Sequence, residues 1–120
     1  PDTKYYNALG FAHYAQDNWG EANEAWFEAL YLANQPPVTQ DNSELLTTYA
    51  GLALALQQSV PNQPLNEQAK LINEAVKLRD KVLAEEPVNF QPQQLESHWL
   101  WHQKAVNDWR SLLLIDRQQS

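Results

Sequence analysis

The sequence predicts an all-α protein. Apolar residues recur every three or four positions through most of its 120 residues, and no segment alternates apolar and polar residues long enough for a β-strand. With 43% hydrophobic and 19% charged residues, the composition is that of a single globular domain. Five of its seven prolines fall between the periodic segments, where proline ends or precedes a helix: Pro36, Pro37, Pro61, Pro64 and Pro87.

Two helices are predicted in the first part of the chain. The first spans residues 4–15, with Asp2 or Thr3 as its N-cap, and the second spans residues 19–33 after a turn at Asp17. Apolar side chains in the second helix are spaced so that they share one face, which we expect to be buried. These side chains are Ala22, Trp26, Ala29 and Leu30.

Three further helices are predicted in the rest of the chain. The third spans residues 43–58 and the fourth residues 66–86, joined by a loop at 59–64 that contains two prolines. Pro92 then opens a fifth helix, because proline is tolerated at the first position of a helix. This helix is predicted to reach about residue 117 and to pack one apolar face on the fourth helix: Leu95, Trp99, Val106, Trp109 and Leu113.

The formal charge of -7 argues against nucleic acid as a partner. Eight basic residues are scattered among fifteen acidic ones, whereas binding to phosphates needs clustered Lys and Arg. The same balance argues against direct contact of this domain with an anionic membrane surface. The chain has no cysteine, which excludes disulfides and thiolate metal sites. Its three glycines form no phosphate-binding loop, so we predict neither enzyme activity nor a cofactor.

The sequence shows neither a membrane span nor a leader peptide. No apolar run approaches the roughly 20 residues of a span, and no basic stretch precedes an apolar one. The chain starts at Pro1 and contains no methionine, so we expect it to be a piece of a longer protein. We expect a soluble domain located in the cytoplasm, while membrane anchoring through other segments of that protein stays open. The glutamine- and tryptophan-rich composition suggests a bacterial source.

Small and aromatic residues recur at a regular spacing in the first two helices. Leu9-Gly10 and Tyr14 in the first helix are followed, without a gap in the pattern, by Ala22, Trp26 and Ala29 in the second. This pattern resembles a tetratricopeptide repeat, a helix pair in which small residues let bulky neighbours approach closely. Residues 6–30 therefore resemble one such repeat.

A second unit, at residues 43–87, resembles the repeat less closely. Ala50-Gly51 takes the place of Leu9-Gly10. However, Arg79 stands where an aromatic residue is usual, and about twelve extra residues separate the two halves of the unit.

The resemblance implies one domain, a right-handed α–α superhelix of two helix pairs with a long C-terminal capping helix. Its parts are repeat 1 at about 4–34, repeat 2 at about 43–87 with the inserted loop, and the capping helix at about 92–117. In this family the first helices of each pair line a groove that holds a peptide or a partner helix. The matching positions are Asn7, Phe11, Tyr14, Thr48 and Leu52, with the alternative that the fifth helix covers them. The implied function is non-catalytic protein–protein interaction, as a scaffold or adaptor domain.

Two alternative functions stay open. His98 and His102 are four residues apart on the predicted fifth helix, so they share a face and are a weak candidate for a metal- or small-molecule-binding site. A zinc protease needs Glu directly after the first His, where this chain has Trp99, and we assign no metal. The other alternative is a structural spacer or a self-association domain.

Two surface features are candidates for contact with a partner. Trp101 falls outside the apolar stripe of the fifth helix, so it is either covered by the loop near Val60 or exposed as an interface anchor. Glu21, Glu24 and Glu28 share one face of the second helix, which predicts a solvated surface or a dock for a basic partner.

Overall fold

The structure, a computed structural model, describes residues 2–36 and 42–116. Within these two ranges it contains six α-helices, one short 3₁₀ helix and no β-strand, so the all-α prediction is confirmed. The α-helices are α1 Thr3–Ala15, α2 Trp19–Ala33, α3 Asn42–Ser59, α4 Leu65–Glu85, α5 Pro92–Leu95 and α6 Gln103–Leu113, and the 3₁₀ helix is Val60–Asn62. Pro37 and the predicted end of the last helix at residue 117 lie outside the described residues.

The ends of α1 follow from its sequence. The carboxylate of Asp2 accepts a hydrogen bond from the backbone N–H of Tyr5 at 2.9 Å, which caps the helix. At the other end Asp17 adopts a left-handed conformation (φ 62°), which aspartate tolerates better than most residues. The N–H of Asn18 then donates to the carbonyl oxygen of His13 at 2.9 Å. The chain therefore reverses within a few residues, and α2 packs back along α1.

Helix α3 is the centre of the domain. It packs on α1, α2, α4 and α6, while no Cα atom of α2 lies within 8 Å of a Cα atom of α4 among the described residues. The side chain of Trp26 on α2 is fully buried between α1 and α3, where each of these helices carries a glycine. A Cβ atom added at Gly10 or Gly51 would overlap the indole ring, so both glycines provide the space that Trp26 occupies.

The extra residues of the second helix pair lengthen its helices rather than its loop. Helices α3 and α4 contain 18 and 21 residues, compared with 13 and 15 in α1 and α2. The predicted loop at 59–64 is shorter than expected, because α3 continues to Ser59 and α4 begins at Leu65. In the described part of the chain, none of the helices is both long and apolar enough to cross a membrane.

The prediction of one long C-terminal helix is wrong. Residues 96–102, between α5 and α6, form turns instead of a helix. His102 starts the new helix as its N-cap, since its Nδ1 accepts a hydrogen bond from the N–H of Ala105 at 3.3 Å. The break changes which tryptophan faces the core. Trp101 is 4% exposed and Trp99 is 73% exposed, the reverse of the predicted stripe.

Arg79 on α4 holds the end of α6. This residue, where the resemblance implied an aromatic side chain, is buried and donates from Nη1 to the carbonyl oxygens of Leu112, at 2.7 Å, and Ile115. Its charge is paired with Asp80 at 2.8 Å. The last carbonyl groups of a helix have no partner within the helix, so Arg79 satisfies them from α4.

We expect Arg79→Met to lower the free energy of unfolding by about 1–3 kcal/mol, because the carbonyl oxygens of Leu112 and Ile115 each lose a charged donor. Urea denaturation followed by circular dichroism measures this value. The control is Arg110→Met, which removes an exposed ion pair with Glu96 of 3.0 Å. An exposed pair contributes about 0–1 kcal/mol. Equal effects of the two substitutions would show that Arg79 does not support α6.

Candidate functional site

The five residues predicted to line an open groove are all buried, with at most 5% of any of them exposed. They are Asn7, Phe11, Tyr14, Thr48 and Leu52. Asn7 and Thr48 hold α1 against α3. The Thr48 hydroxyl donates to Asn7 Oδ1 at 2.7 Å, and Asn7 Nδ2 donates to the carbonyl oxygen of Glu44 at 2.9 Å. These polar side chains therefore stabilise the packing of α1 on α3.

The C-terminal segment covers the side of α1 on which the groove was predicted. The ring of Trp101 lies 4.9 Å from that of Phe11, and the imidazole of His102 stacks on Tyr14 at 6.0 Å, both measured between ring centroids. Phe11 and Tyr14 are therefore core contacts and do not line an open groove, because Trp101 and His102 cover them. Trp101 is likewise a core residue, so its interpretation as an exposed interface anchor is wrong.

A polar cluster fastens α6 to α1 and α3. Asp108 Oδ2 accepts hydrogen bonds from the Tyr14 hydroxyl at 2.6 Å, Gln58 Nε2 at 3.0 Å and Lys104 Nζ at 3.2 Å. Burial raises the pKa of Tyr14, and the neighbouring Asp108 raises it further, so the hydroxyl stays protonated and donates. The carboxylate is thus shared among three donors from three helices, which indicates a structural role.

His102 lies beside this cluster with both ring nitrogens engaged. Its Nε2 lies 3.1 Å from the carbonyl oxygen of Phe11, to which it donates, while Nδ1 accepts from Ala105. This arrangement needs the neutral imidazole, since a protonated Nδ1 cannot accept a hydrogen bond. Burial lowers the pKa of His102 and nearby Lys104 lowers it further, against the opposing effects of the Phe11 carbonyl and Asp108.

We expect the free energy of unfolding to fall as the pH is lowered from about 7.5 to about 5.5. The pKa of His102 is lower in the folded chain than its ordinary value of 6.5, so the unfolded chain takes up the proton first. The stability that neutral His102 contributes is therefore fully present above the pKa that this side chain has in the unfolded chain. It is lost as the pH falls below that value. Urea titrations at both pH values measure the change.

The matched variants are His102→Asn, which keeps a capping acceptor, and His98→Asn at an exposed position. We expect the first to reduce the pH dependence and the second to leave it unchanged. If the stability of His102→Asn depends on pH as strongly as that of the wild type, other titratable groups cause the pH dependence.

His98 and His102 do not share a helix face, so that prediction is wrong. His98 lies in the turns before α6, where it is exposed and its Nδ1 accepts from the N–H of Leu100 at 3.2 Å. His102, by contrast, is bound into the packing of α1 and α6. Among residues 2–36 and 42–116, no group of three or more His, Asp or Glu side chains is placed to hold a metal ion. The pair therefore offers no ligand set for the metal-binding alternative.

An open apolar groove lies between α2 and α4, and we call it the α2–α4 groove. Side chains of α2 and α4 line its two edges, and side chains of α3 line the floor between them. The cavity has a volume of about 410 Å³. Six of its nine lining side chains are apolar or aromatic, so it is suited to bind apolar side chains. The lining consists of Asn23, Phe27 and Leu30 from α2, Tyr49, Leu52 and Leu56 from α3, and Glu74, Lys77 and Leu78 from α4.

Helix α2 carries two exposed aromatic side chains, of which Phe27 lines this groove and Tyr31 does not. Phe27 is 55% exposed, and Tyr31, one turn further along α2, is 59% exposed. The groove continues past Asn23 and Leu56 into a further cavity of about 250 Å³ that Trp19 borders. Exposed aromatic side chains beside a buried apolar floor are typical of the residues that contribute most to binding.

Sequence analysis assigned one residue of this lining, Leu52, to a binding site, but expected it on the side of the helices that α6 covers. The available signal was the apolar arc of α2, which Phe27 widens beyond the predicted stripe of Ala22, Trp26, Ala29 and Leu30. A helix with so wide an arc has more apolar surface than its neighbours bury.

A second exposed feature surrounds Trp99. Its indole borders a cavity of about 400 Å³, which Lys4 and Glu44 also line, and another of about 230 Å³, which Ala8 lines. This surface carries more polar and charged side chains than the α2–α4 groove. It is therefore a second point at which a partner can make contact.

Comparison with known proteins adds no assignment, since no family model, curated protein or solved structure matches this chain. The tetratricopeptide resemblance therefore stays an interpretation of the sequence. Function has to be argued from the site itself.

Proposed function

We propose that this chain is a non-catalytic interaction domain of a larger protein and binds a helical segment of another protein in the α2–α4 groove. The observation that carries the proposal is the open apolar floor that α3 provides between α2 and α4, with Phe27 exposed at its edge. In helix-in-groove recognition, an amphipathic helix inserts apolar side chains spaced by three or four positions into such a surface.

The proposal keeps the function that the sequence implied and changes the site. Binding on the side first predicted would require α6 to leave, and with it the hydrogen bond between Tyr14 and Asp108 and the packing of Trp101 on Phe11. The α2–α4 groove is open without any rearrangement. A pre-formed site avoids the free energy of reorganisation, which favours the groove as the site.

The proposal includes a tetratricopeptide-like arrangement of the first four helices. Each of them packs on the next, and Gly10 and Gly51, at equivalent positions of the two helix pairs, both lie against Trp26. Helix α6 packs on α1, α3 and α4, and would serve as the capping element of a short superhelix.

The test compares proteins captured from the source cells by the wild-type domain and by three variants. Phe27→Asp places a charge at the edge of the groove, Trp99→Ser alters the second exposed surface, and Tyr5→Asp changes an exposed aromatic residue that borders neither cavity. Circular dichroism establishes that each variant is folded. We expect at least one partner, identified by mass spectrometry, to be lost only with Phe27→Asp.

A partner that is lost with Trp99→Ser and kept with Phe27→Asp would move the site to the surface around Trp99. Capture that none of the three substitutions changes would contradict the proposal.

A further inference from the structure

Resting on the proposed function, we infer that the partner is an amphipathic helix with a basic edge that faces α2 and an acidic edge that faces Lys77 and Lys81 of α4. The apolar stripe between these edges fills the groove. The charge pattern of the partner then determines the direction in which it lies in the groove.

The exposed face of α2, next to Phe27 at the edge of the groove, carries acidic side chains that do not themselves line the groove. Glu24 and Glu28 are exposed, and their positions relative to Phe27 and Tyr31, three and four residues apart, place all four on one broad face of α2. Helix α2 contains a third exposed glutamate, Glu21, and no Lys or Arg. None of the three glutamates forms an ion pair within the described residues, so their charge is available to a basic partner.

The α4 edge carries exposed cations. Lys77 lines the groove, and Nζ of Lys81 lies 4.9 Å from the ring centroid of Tyr49, which is part of the floor. Glu74 lines the same edge, so α4 offers two cations and one anion where α2 offers only anions. An acidic side chain on the bound helix is therefore favoured opposite Lys77 and Lys81 and disfavoured opposite α2.

This difference between the edges determines the direction of the bound helix. When a helix is reversed in the groove, its apolar stripe still faces the floor, but its two edges exchange places. A helix with one basic and one acidic edge can therefore satisfy both sides of the groove in one direction only. The opposite direction brings like charges together.

A second copy of this chain is a poorer occupant. Of its exposed aromatic residues, Phe27 and Tyr31 lie on α2, which has glutamates and no basic residue to present to the groove. Docking α2 of one copy into the groove of another would bring Glu24 or Glu28 near the same residues of the first copy. The overall charge of -7 on each chain opposes this contact as well.

The experiment uses two synthetic helical peptides of about 18 residues, or about 27 Å, with the same composition and the same apolar stripe. In the segregated peptide, Lys occupies one edge of the stripe and Glu the other, whereas in the mixed peptide Lys and Glu alternate on both edges. Fluorescence anisotropy measures their binding to the domain. We expect the segregated peptide to bind roughly five- to tenfold more tightly at low salt. This difference should disappear near 1 M salt, where the Debye length is about 3 Å.

A charge-reversed domain supplies the matched control. Glu24→Lys combined with Glu28→Lys is expected to remove the preference for the segregated peptide. Glu96→Lys combined with Asp116→Lys changes the net charge equally at two exposed positions outside α2 and α4, and should keep the preference.

Equal binding of the two peptides by the wild-type domain, each weakened by Phe27→Asp, would overturn the charge pattern and leave the proposed function standing. Failure of both peptides to bind would contradict the function itself. A concentration-dependent dimer in sedimentation, abolished by Phe27→Asp, would assign the groove to a second copy and overturn the inference.

Discussion

Replacing Trp26 with alanine is expected to lower the free energy of unfolding by about 3–5 kcal/mol. The indole is fully buried against Gly10 and Gly51, and its ring lies 5.1 Å from that of Phe11. Its removal leaves a cavity that α1, α2 and α3 all border. These helices can close the cavity only by moving relative to one another, so little of the loss is recovered. Since a typical domain is stable by about 5–15 kcal/mol, this variant is expected to be close to unfolding.

Urea denaturation followed by far-ultraviolet circular dichroism measures this effect without relying on tryptophan fluorescence. Trp99→Ala is the control, because that side chain is mostly exposed and its removal should change stability by no more than about 0.5 kcal/mol. If the two variants unfold at the same urea concentration, Trp26 is not the centre of the helix packing.

The second large effect is expected at Trp109, where substitution with alanine should cost about 3–5 kcal/mol. Trp109 is fully buried, and its indole N–H donates to the carbonyl oxygen of Phe90 at 2.8 Å. Alanine therefore leaves a cavity and a buried acceptor without a donor. Trp101 packs on Trp109 with 5.8 Å between ring centroids, so Trp101→Ala is expected to have a similar cost.

The same urea experiment separates the two contributions at Trp109. Trp109→Phe keeps most of the apolar volume but removes the N–H group, so its cost reports mainly on the hydrogen bond to Phe90. If Trp101→Ala is as mild as Trp99→Ala, the turns at residues 96–102 do not form in solution. The helix would then continue through them, as the sequence predicted.

The C-terminal segment decides which side of the helices is free to bind. Trp101, His102 and α6 cover α1 and α3 on one side, while α2 and α4 leave α3 open on another. Residues first predicted to line a groove, such as Phe11, are therefore required for stability. We expect Phe11→Ala to unfold the domain rather than to weaken binding selectively. Binding experiments are better directed at Phe27, whose exposed ring can be changed without opening the core.

The candidate site was only partly accessible to sequence analysis. The acidic residues of α2 were recognised as a possible dock for a basic partner, and the structure shows them exposed on the helix that contributes Phe27 to the α2–α4 groove. The separation of α2 and α4 depends on how each of them packs on α3, and this packing involves side chains of several helices. No pattern within α2 or α4 reports this distance, so the groove between them could not be predicted.

The sequence by itself determined the all-α class and the approximate positions of α1 to α4. The signals for these features are apolar periodicity, prolines and an aspartate N-cap, each of which acts within a few residues of the chain. Only the tertiary structure decided that the last helix is broken. Between Pro92 and α6 there is no glycine or further proline to signal a break, so the periodic pattern continues through residues 96–102. The break depends on contacts with distant residues: Trp101 packs on Phe11, and His102 bonds to the Phe11 carbonyl while it caps α6. Those contacts bury one tryptophan and expose the other, since burial of the Trp101 ring in the core outweighs the continuation of a single helix.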